Sequence, residues 1–424
     1  MEGLEVSILP LSEVSEENSK IRIDSGYFTK AALTAEALVE ALPNDPLGDL
    51  SDTFRKGIFD IKADTYVEPG EGVPFIRITD IKTGMIQKHS TAWIDHAAHS
   101  SEAKTALKFG DLVLSKTAYP AAAIVNVPDC NVSQDTIAVR LSTDGKRQYR
   151  TGYIAAYLNS AQGLALMARR FQGNVQQHLS LEDGKSIRIP RLSTPFQDRV
   201  HELVLRVDRQ QVAVTNAMLA AEDALLAAFG LANWTPPEPL AYTARAADVF
   251  ASGRFDARFF APRIQALLDL LAVDGRTIAD VANPRREKFR PDACAAFDYI
   301  EISDIDGAGA ATSTRLASED APSRATWHVR AGDIITSTVR PIRRLSAQIT
   351  PEQAGFVCSS GFVVVTPRDI APEVLLTYLR LPVICELLDL FASASMYPAI
   401  TDADIFNLPL PHIPDAVADQ VTQN

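Results

Sequence analysis

The chain of 424 residues holds only four cysteines, three tryptophans and five methionines. Cys130, Cys294, Cys358 and Cys385 stand far apart and form no Cys-x-x-Cys, which argues for reduced thiols in a cytoplasm rather than a disulfide frame or a zinc site. No apolar run approaches the roughly 20 residues that span a bilayer, so no membrane association is expected. The opening stretch, MEGLEVSILPLSEVSEENSK, is acidic where a secretory signal would be basic. Walker A, a GxGxxG after a strand, HExxH and GxSxG are all missing. Asn283–Arg286 reads NPRR and lacks the second proline and the aromatic of the sequence with which amino-methyltransferases hold their base. His96 and His99 lie three apart, but no third ligand type clusters with them, and coordination needs three or four convergent groups. No catalytic residue, metal site or cofactor of the chain's own is therefore expected. Positive charge is also short: the net charge is −12, and the chain as a whole lacks the basic footprint of a nucleic-acid binder. Two local clusters stand against that total, NPRREKFR (Asn283–Arg290) and TVRPIRR (Thr338–Arg344).

What the chain does have is a repeat of domain size. Two series of stretches recur in the same order about 220 residues apart. The first runs RIDSGYF (Arg22–Phe28), VPFIRITDIKTG (Val73–Gly84), LKFGDLVLSKTA (Leu107–Ala118), YIAAYLNS (Tyr153–Ser160) and IPRLSTPFQDRV (Ile189–Val200). The second runs RFDARFF (Arg254–Phe260), FDYIEISDIDG (Phe297–Gly307), VRAGDIITSTVR (Val329–Arg340), VLLTYLRL (Val374–Leu381) and LPHIPDAVADQV (Leu410–Val421). Each copy is long enough to be a domain with its own core.

Within each copy the periodicities predict mixed α/β structure. Thr29–Leu42 and Pro262–Val273 carry apolar residues at helical spacing, whereas PFIRITDI, YIEISDI, DLVLSKT, DIITSTV, TIAVRL and GFVVVTP read as strands. Each copy closes with one long helix, Tyr153–Phe171 or Glu373–Phe391, a polar loop, and a strand ending at Pro190 or Pro409. Between the copies, Thr194 and Pro195 start and Gly230 stops a helix whose seam runs Val200, Val204, Val207, Val214, Met218, Ala221, Leu225, Ala228. A seam of this spacing wants a partner helix. The expected organisation is α+β: an extension over 1–20, a first domain over 21–193, a spacer helix over 194–232, a proline-stiffened linker over 233–240, a second domain over 241–412, and the start of another helix over 413–424.

The order of these elements, repeated around a long helix, resembles the specificity subunit of type I restriction–modification systems, the phage-defence complexes of bacteria. The resemblance covers roughly residues 20–424 and rests on PFIRITDIKTG, GDLVLSKTA, the GNVQQHLSLED loop (Gly173–Asp183) and the IRIP exit strand. It implies two target-recognition domains, each reading one half of a bipartite sequence in double-stranded DNA, and no catalysis by this chain. It further implies docking of methyltransferase subunits, normally two, that carry S-adenosylmethionine; restriction subunits that use ATP and magnesium can join them. In the family a second long helix pairs with the central one. Here only about ten residues stand in its place, so a partner that supplies the missing half, or a shortened product, is expected.

A recognition domain needs hydrogen-bonding side chains on loops held by a rigid scaffold. The first copy offers Lys116, Thr117 and Tyr119, then Asn131, Ser133 and Gln134, then Asn174, Gln176, Gln177 and His178. The second offers Arg285, Arg286 and Lys288, then Thr338, Arg340, Arg343 and Arg344, then Ser359, Ser360, Ser395 and Tyr397. Each competes with the reading of a satisfied turn residue or a phosphate contact. Val200, Val204, Val207, Val214, Met218 and Leu225 are the candidate spacer and docking positions. A two-headed scaffold that binds only protein is the alternative, favoured by the acidic total, and an enzyme with a divergent active site is a weaker third.

Overall fold

The computed structural model describes residues 8–16, 22–58, 61–82, 84–86, 91–173, 177–236, 238–392 and 399–423. The chain divides into two compact units, Met1–Gln211 and Val212–Asn424. The long helix, Thr194–Ala228, contributes its first half to one unit and its second half to the other.

Each unit is built on the same run of four antiparallel strands, extended in the first unit by a parallel pairing of Ala122–Ile124 with Gly84–Ile86. In the first, strands are ordered Ser51–Lys56, Thr136–Leu141, Leu112–Ser115, Ala122–Ile124, followed by Gly84–Ile86 and Ile81–Lys82. In the second the order is Ala282–Pro284, Phe362–Pro367, Ile334–Ser337, Ser346–Gln348. A second sheet in each unit contains one parallel pair, Val73–Ile76 with Asp129–Val132 and Ala296–Ile300 with Val357–Ser359. The two copies of the sequence therefore share the four-strand order and the parallel pair, each within a mixed α/β unit.

Alternation along the strands explains why the central ones are buried on both faces. In the first unit Leu112, Leu114, Ile137 and Val139 face the helices, packing with Tyr153, Leu158 and Met167. The intervening Val113, Ala123 and Ala138 face the second sheet and meet Ile76, Cys130 and Val132. The second unit repeats the division, with Ile334, Val363 and Val365 on the helix side and Ile335, Ala347 and Val364 against Ile300 and Cys358.

Three local devices recur. The Gly-Asp pairs build turns: Gly110 and Gly332 take φ of +88° and +83°, a conformation natural to glycine. The Asp111 and Asp333 carboxylates then accept the N–H groups of Lys108 (2.9 Å) and Arg330 (2.8 Å). The Arg-x-Asp-x-x-aromatic stretches are staples. Arg22 pairs with Asp24 at 2.8 Å and donates to the carbonyls of Arg169 and Phe171, while Arg254 pairs with Asp256 at 2.8 Å and donates to that of Leu390. The exit strand of the first copy, Arg188–Pro190, pairs with Asn44–Pro46, and Pro409 makes one bridge with Thr277.

Two sequence expectations are corrected. The single closing helix is two helices in each unit, Thr151–Leu158 with Ala161–Arg170 and Pro372–Arg380 with Pro382–Phe391. The break follows from Ser160, whose hydroxyl caps Gly163 N–H, and from Pro382, which cannot continue the preceding hydrogen-bond ladder. The PFIRITDI and YIEISDI strands stop early, at Ile76 and Ile300, and turn through Ile78–Asp80 and Ile302–Asp304. There Asp80 and Asp304 accept the N–H groups of Arg77 and Glu301.

Candidate nucleic-acid interface

The two doubly buried strands, Leu112–Ser115 and Ile334–Ser337, leave the sheet into loops of different length at the same topological place. Residues 116–121 return to Ala122 in the first unit, and residues 338–345 return to Ser346 in the second. Each loop is held by a second one. Leu179 N–H donates to Lys116 O (2.7 Å) and Ala118 N–H to Gln177 O (3.2 Å); Ile400 N–H donates to Thr338 O (3.0 Å). Thr117 bridges to His178, and Val339 to Ala399. The backbone is unusual at matched positions, since Ala118 takes φ +63° and Arg340 φ +50°.

In the first unit the loop gathers several of the expected residues. Lys116 is half-buried, and burial together with the nearby charge of Lys56 holds its ammonium below the usual lysine range, opposed by Asp135. Tyr119 is 40% exposed and its hydroxyl donates to Ile78 O at 2.9 Å. Ser133 is buried beside Ile58 with no partner for its hydroxyl among the described residues, and Gln134 is half-exposed. Gln177 and His178 are exposed. Asn174 and Gln176 lie outside the described residues. Asn131 is fully buried between Thr105 and Glu102 and faces no solvent.

In the second unit the arginines divide into two kinds. Arg340 and Arg343 are exposed, and their guanidinium groups make no ion pair among the described residues. Arg344 instead donates to Arg380 O at 2.6 Å and pairs with Glu222 of the long helix, and burial of that carboxylate is the reason it needs a partner. Arg285 is clamped by both oxygens of the buried Asp333, at 2.6 and 3.1 Å, with Thr366 completing the site. Arg286 is exposed and pairs with Asp402 at 3.0 Å, Lys288 is exposed, and Thr338 donates to Gly361 O. Ser359 is buried and Ser360 exposed, while Ser395 and Tyr397 lie outside the described residues.

Sequence reading passed over Arg55 and Lys56, both exposed, which stand where Arg285 and Arg286 stand in the second unit. The signal was there: Arg55-Lys56 closes one strand, and Arg285-Arg286 directly follows the other at Pro284. It also passed over Arg140, which neutralises Asp111 at 2.8 Å as Arg285 neutralises Asp333, but from the neighbouring strand.

The helix seam is not uniform. Val200 and Val204 pack on the core of the first unit, and Ala221 and Leu225 are buried in that of the second. Met218 is half-buried, whereas Val207 and Val214 are 51% and 47% exposed. A separate apolar groove of about 360 Å³ opens in the first unit, lined by Leu38, Leu42, Tyr153, Tyr157, Leu192 and Phe196. The Tyr157 hydroxyl is buried there without a partner among the described residues. In the second unit the matching Tyr378 donates to Pro409 O and packs edge-on against Phe229 at 6.1 Å. Among the described residues no three His, Cys, Asp or Glu converge as a metal-binding group, and no helix is long and apolar enough to cross a membrane.

No family model matches the sequence, and no curated protein matches it. Among solved structures the chain is similar to the HsdS subunit from Thermoanaerobacter tengcongensis, at 16% identity over 90% of this chain and 89% of that one, with a TM-score of 0.27. It is similar also to the type I restriction–modification system S subunit from M. genitalium, at 12% identity over 90% and 87%, with a TM-score of 0.39. A chain of a type I R-M system solved for its complex assembly and conformational transition shares 16% identity over 90% and 91%, with a TM-score of 0.27. At identities this low, the functional reading rests on the chain's own loops.

Proposed function

We propose that the chain is the DNA-reading subunit of a type I restriction–modification complex, each unit reading one half of a bipartite target in double-stranded DNA. The observation that carries this reading is the matched pair of loops. One scaffold, repeated, presents at the same strand end two loops that differ in length and in side chains, as two different half-sites require. The first loop has Lys116 and Tyr119 beside Gln177 and His178; the second has Arg340 and Arg343, exposed and unpaired among the described residues. Arginine and lysine bond guanine edges and phosphates, and glutamine bonds adenine. The acidic total charge does not oppose this, because screening confines what a phosphate feels to about 8 Å at physiological salt.

In this reading the chain catalyses nothing. It docks two methyltransferase subunits, which bring S-adenosylmethionine, and restriction subunits that use ATP and magnesium can join. The open groove around Leu38, Leu42 and Phe196 supports protein docking, since these exposed apolar side chains are contiguous rather than scattered singly. It equally favours the second reading, a scaffold for protein alone. Selection of bound sequences from a random duplex library by the co-purified complex separates the two. A bipartite motif with affinity that falls steeply with added salt is expected. Binding that ignores both sequence and salt would refute DNA reading and leave the scaffold.

A further inference from the structure

We infer that the left-handed residue in each reading loop, Ala118 in the first unit and Arg340 in the second, is a positioning residue that fixes how the neighbouring side chains meet DNA. This rests on the DNA-reading proposal and deepens it. Among the described residues three non-glycine positions take positive φ, namely Ala118, Arg340 and Arg344, and all three lie in these two loops. Elsewhere the chain uses glycine for the same conformation, at ten positions such as Gly110 and Gly332. Glycine at Ala118 or Arg340 would relieve the clash of Cβ with the backbone, yet neither loop has it.

The local geometry at both sites is costly for further reasons. Tyr119 N–H bonds Thr117 O at 2.8 Å, closing a three-residue turn around Ala118, and with φ of +63° this is the strained hand of that turn. Arg340 has φ 50° and ψ 65° and precedes Pro341, whose ring disfavours compact conformations in the residue before it. Each is held in place from outside. Tyr119 is tied to Ile78 O and Ala118 to Gln177 O. The second loop is tied through Thr338 to Gly361 and Ile400, and through Arg344 to Glu222 and Arg380. Strain that persists because its surroundings over-determine it, at the same place in two copies with different loop sequences, marks a conformation the site uses. A loop already fixed loses less freedom on binding and discriminates better between near-identical partners.

Ala118→Gly and Pro341→Ala test this in the full chain with its co-purified partners. The first removes one methyl group and lets the backbone relax; the second relieves the residue before the proline without touching Arg340. Affinities are measured for the target and for single-base variants of each half-site. Ala118→Gly should leave the melting temperature unchanged or raised and lower discrimination at the first half-site by about two- to tenfold, with the second unchanged. Pro341→Ala should do the converse. Wild-type selectivity kept at both half-sites in both variants would overturn the inference alone, as would equal loss at both half-sites from either variant. Wild-type binding with no sequence preference would overturn the DNA reading and this inference together.

Discussion

Arg344→Ala separates a structural arginine from its reading neighbours. Arg344 donates to the Arg380 carbonyl at 2.6 Å and pairs with Glu222, which is 7% exposed. Burial raises the Glu222 carboxyl above its ordinary 4.5, and Arg344 is the chief attraction holding it down, with Arg380 next. Deleting one partner of a buried pair costs about 3–5 kcal/mol, and Arg344 is itself 31% exposed, so about 2–4 kcal/mol is expected. The sign with pH follows. A carboxyl whose folded pKa lies above its unfolded value makes the charged form costly in the fold, and losing Arg344 raises it further. The unfolded value is common to both proteins and cancels, so the variant's deficit should be smallest at acid pH, where Glu222 is protonated in both folded proteins, and should grow as pH rises through its folded pKa, which lies above 4.5. Trp234 and Trp327 both lie in the second unit, so urea unfolding followed by fluorescence in a Trp93→Phe background reports that unit. Glu222→Gln should recover most of the loss in the double variant. Stability within about 0.5 kcal/mol of wild type, together with lost recognition of one half-site, would refute this and put Arg344 on DNA.

Arg340→Ala with Arg343→Ala should keep stability within about 0.5 kcal/mol and weaken binding to one half-site only, read by competition with half-site variants. The expected loss is about 1–3 kcal/mol for each arginine that bonds a base edge. Asp333→Asn should destabilise the second unit by about 2–4 kcal/mol in the same fluorescence assay, because it removes the buried carboxylate that clamps Arg285 and leaves that guanidinium only Glu287, at 3.9 Å. Phe196→Asp, in the open groove, should reduce co-purification of partner subunits and leave the salt dependence of DNA binding unchanged.

Much of the fold was legible because it follows from periodicity and turn chemistry. Alternation in DLVLSKT and DIITSTV specified strands, and the Gly-Asp pairs specified their turns. The roles of individual arginines were not legible, because they depend on which strand lies beside which. Asp111 and Asp333 occupy equivalent turns, yet Arg140 answers one and Arg285 the other, from neighbouring strands. Arg343 and Arg344 are adjacent in sequence, and only the second points to a buried carboxylate. The break between Leu158 and Ala161 did carry a signal, the Asn159-Ser160 pair with its capping hydroxyl, which the apolar residues on either side outweighed. Ala118 offered no sign at all, since alanine is not among the residues, glycine, asparagine and aspartate, that favour the left-handed region.

The division between rigid scaffold and variable loop has a physical origin in the central strands. Val113 and Leu114, like Ile334 and Ile335, are buried against different layers, so a change at any of them is felt in one core or the other. Side chains in these strands cannot be altered for a new target without loss of fold. The first freedom comes where the strand leaves the sheet, after Ser115 and Ser337. There the backbone is pinned on both sides, by Leu179 and Ile400 across the loop and by Asp135 and Gly361 beneath it. From that pinned residue to the returning strand the chain has six residues in one unit and eight in the other, with the flanking strands paired alike. Loop closure tolerates such differences in length at little cost. Two copies of one fold can thus diverge in what they touch while the shared central strands and their Gly-Asp turns stay in register beneath.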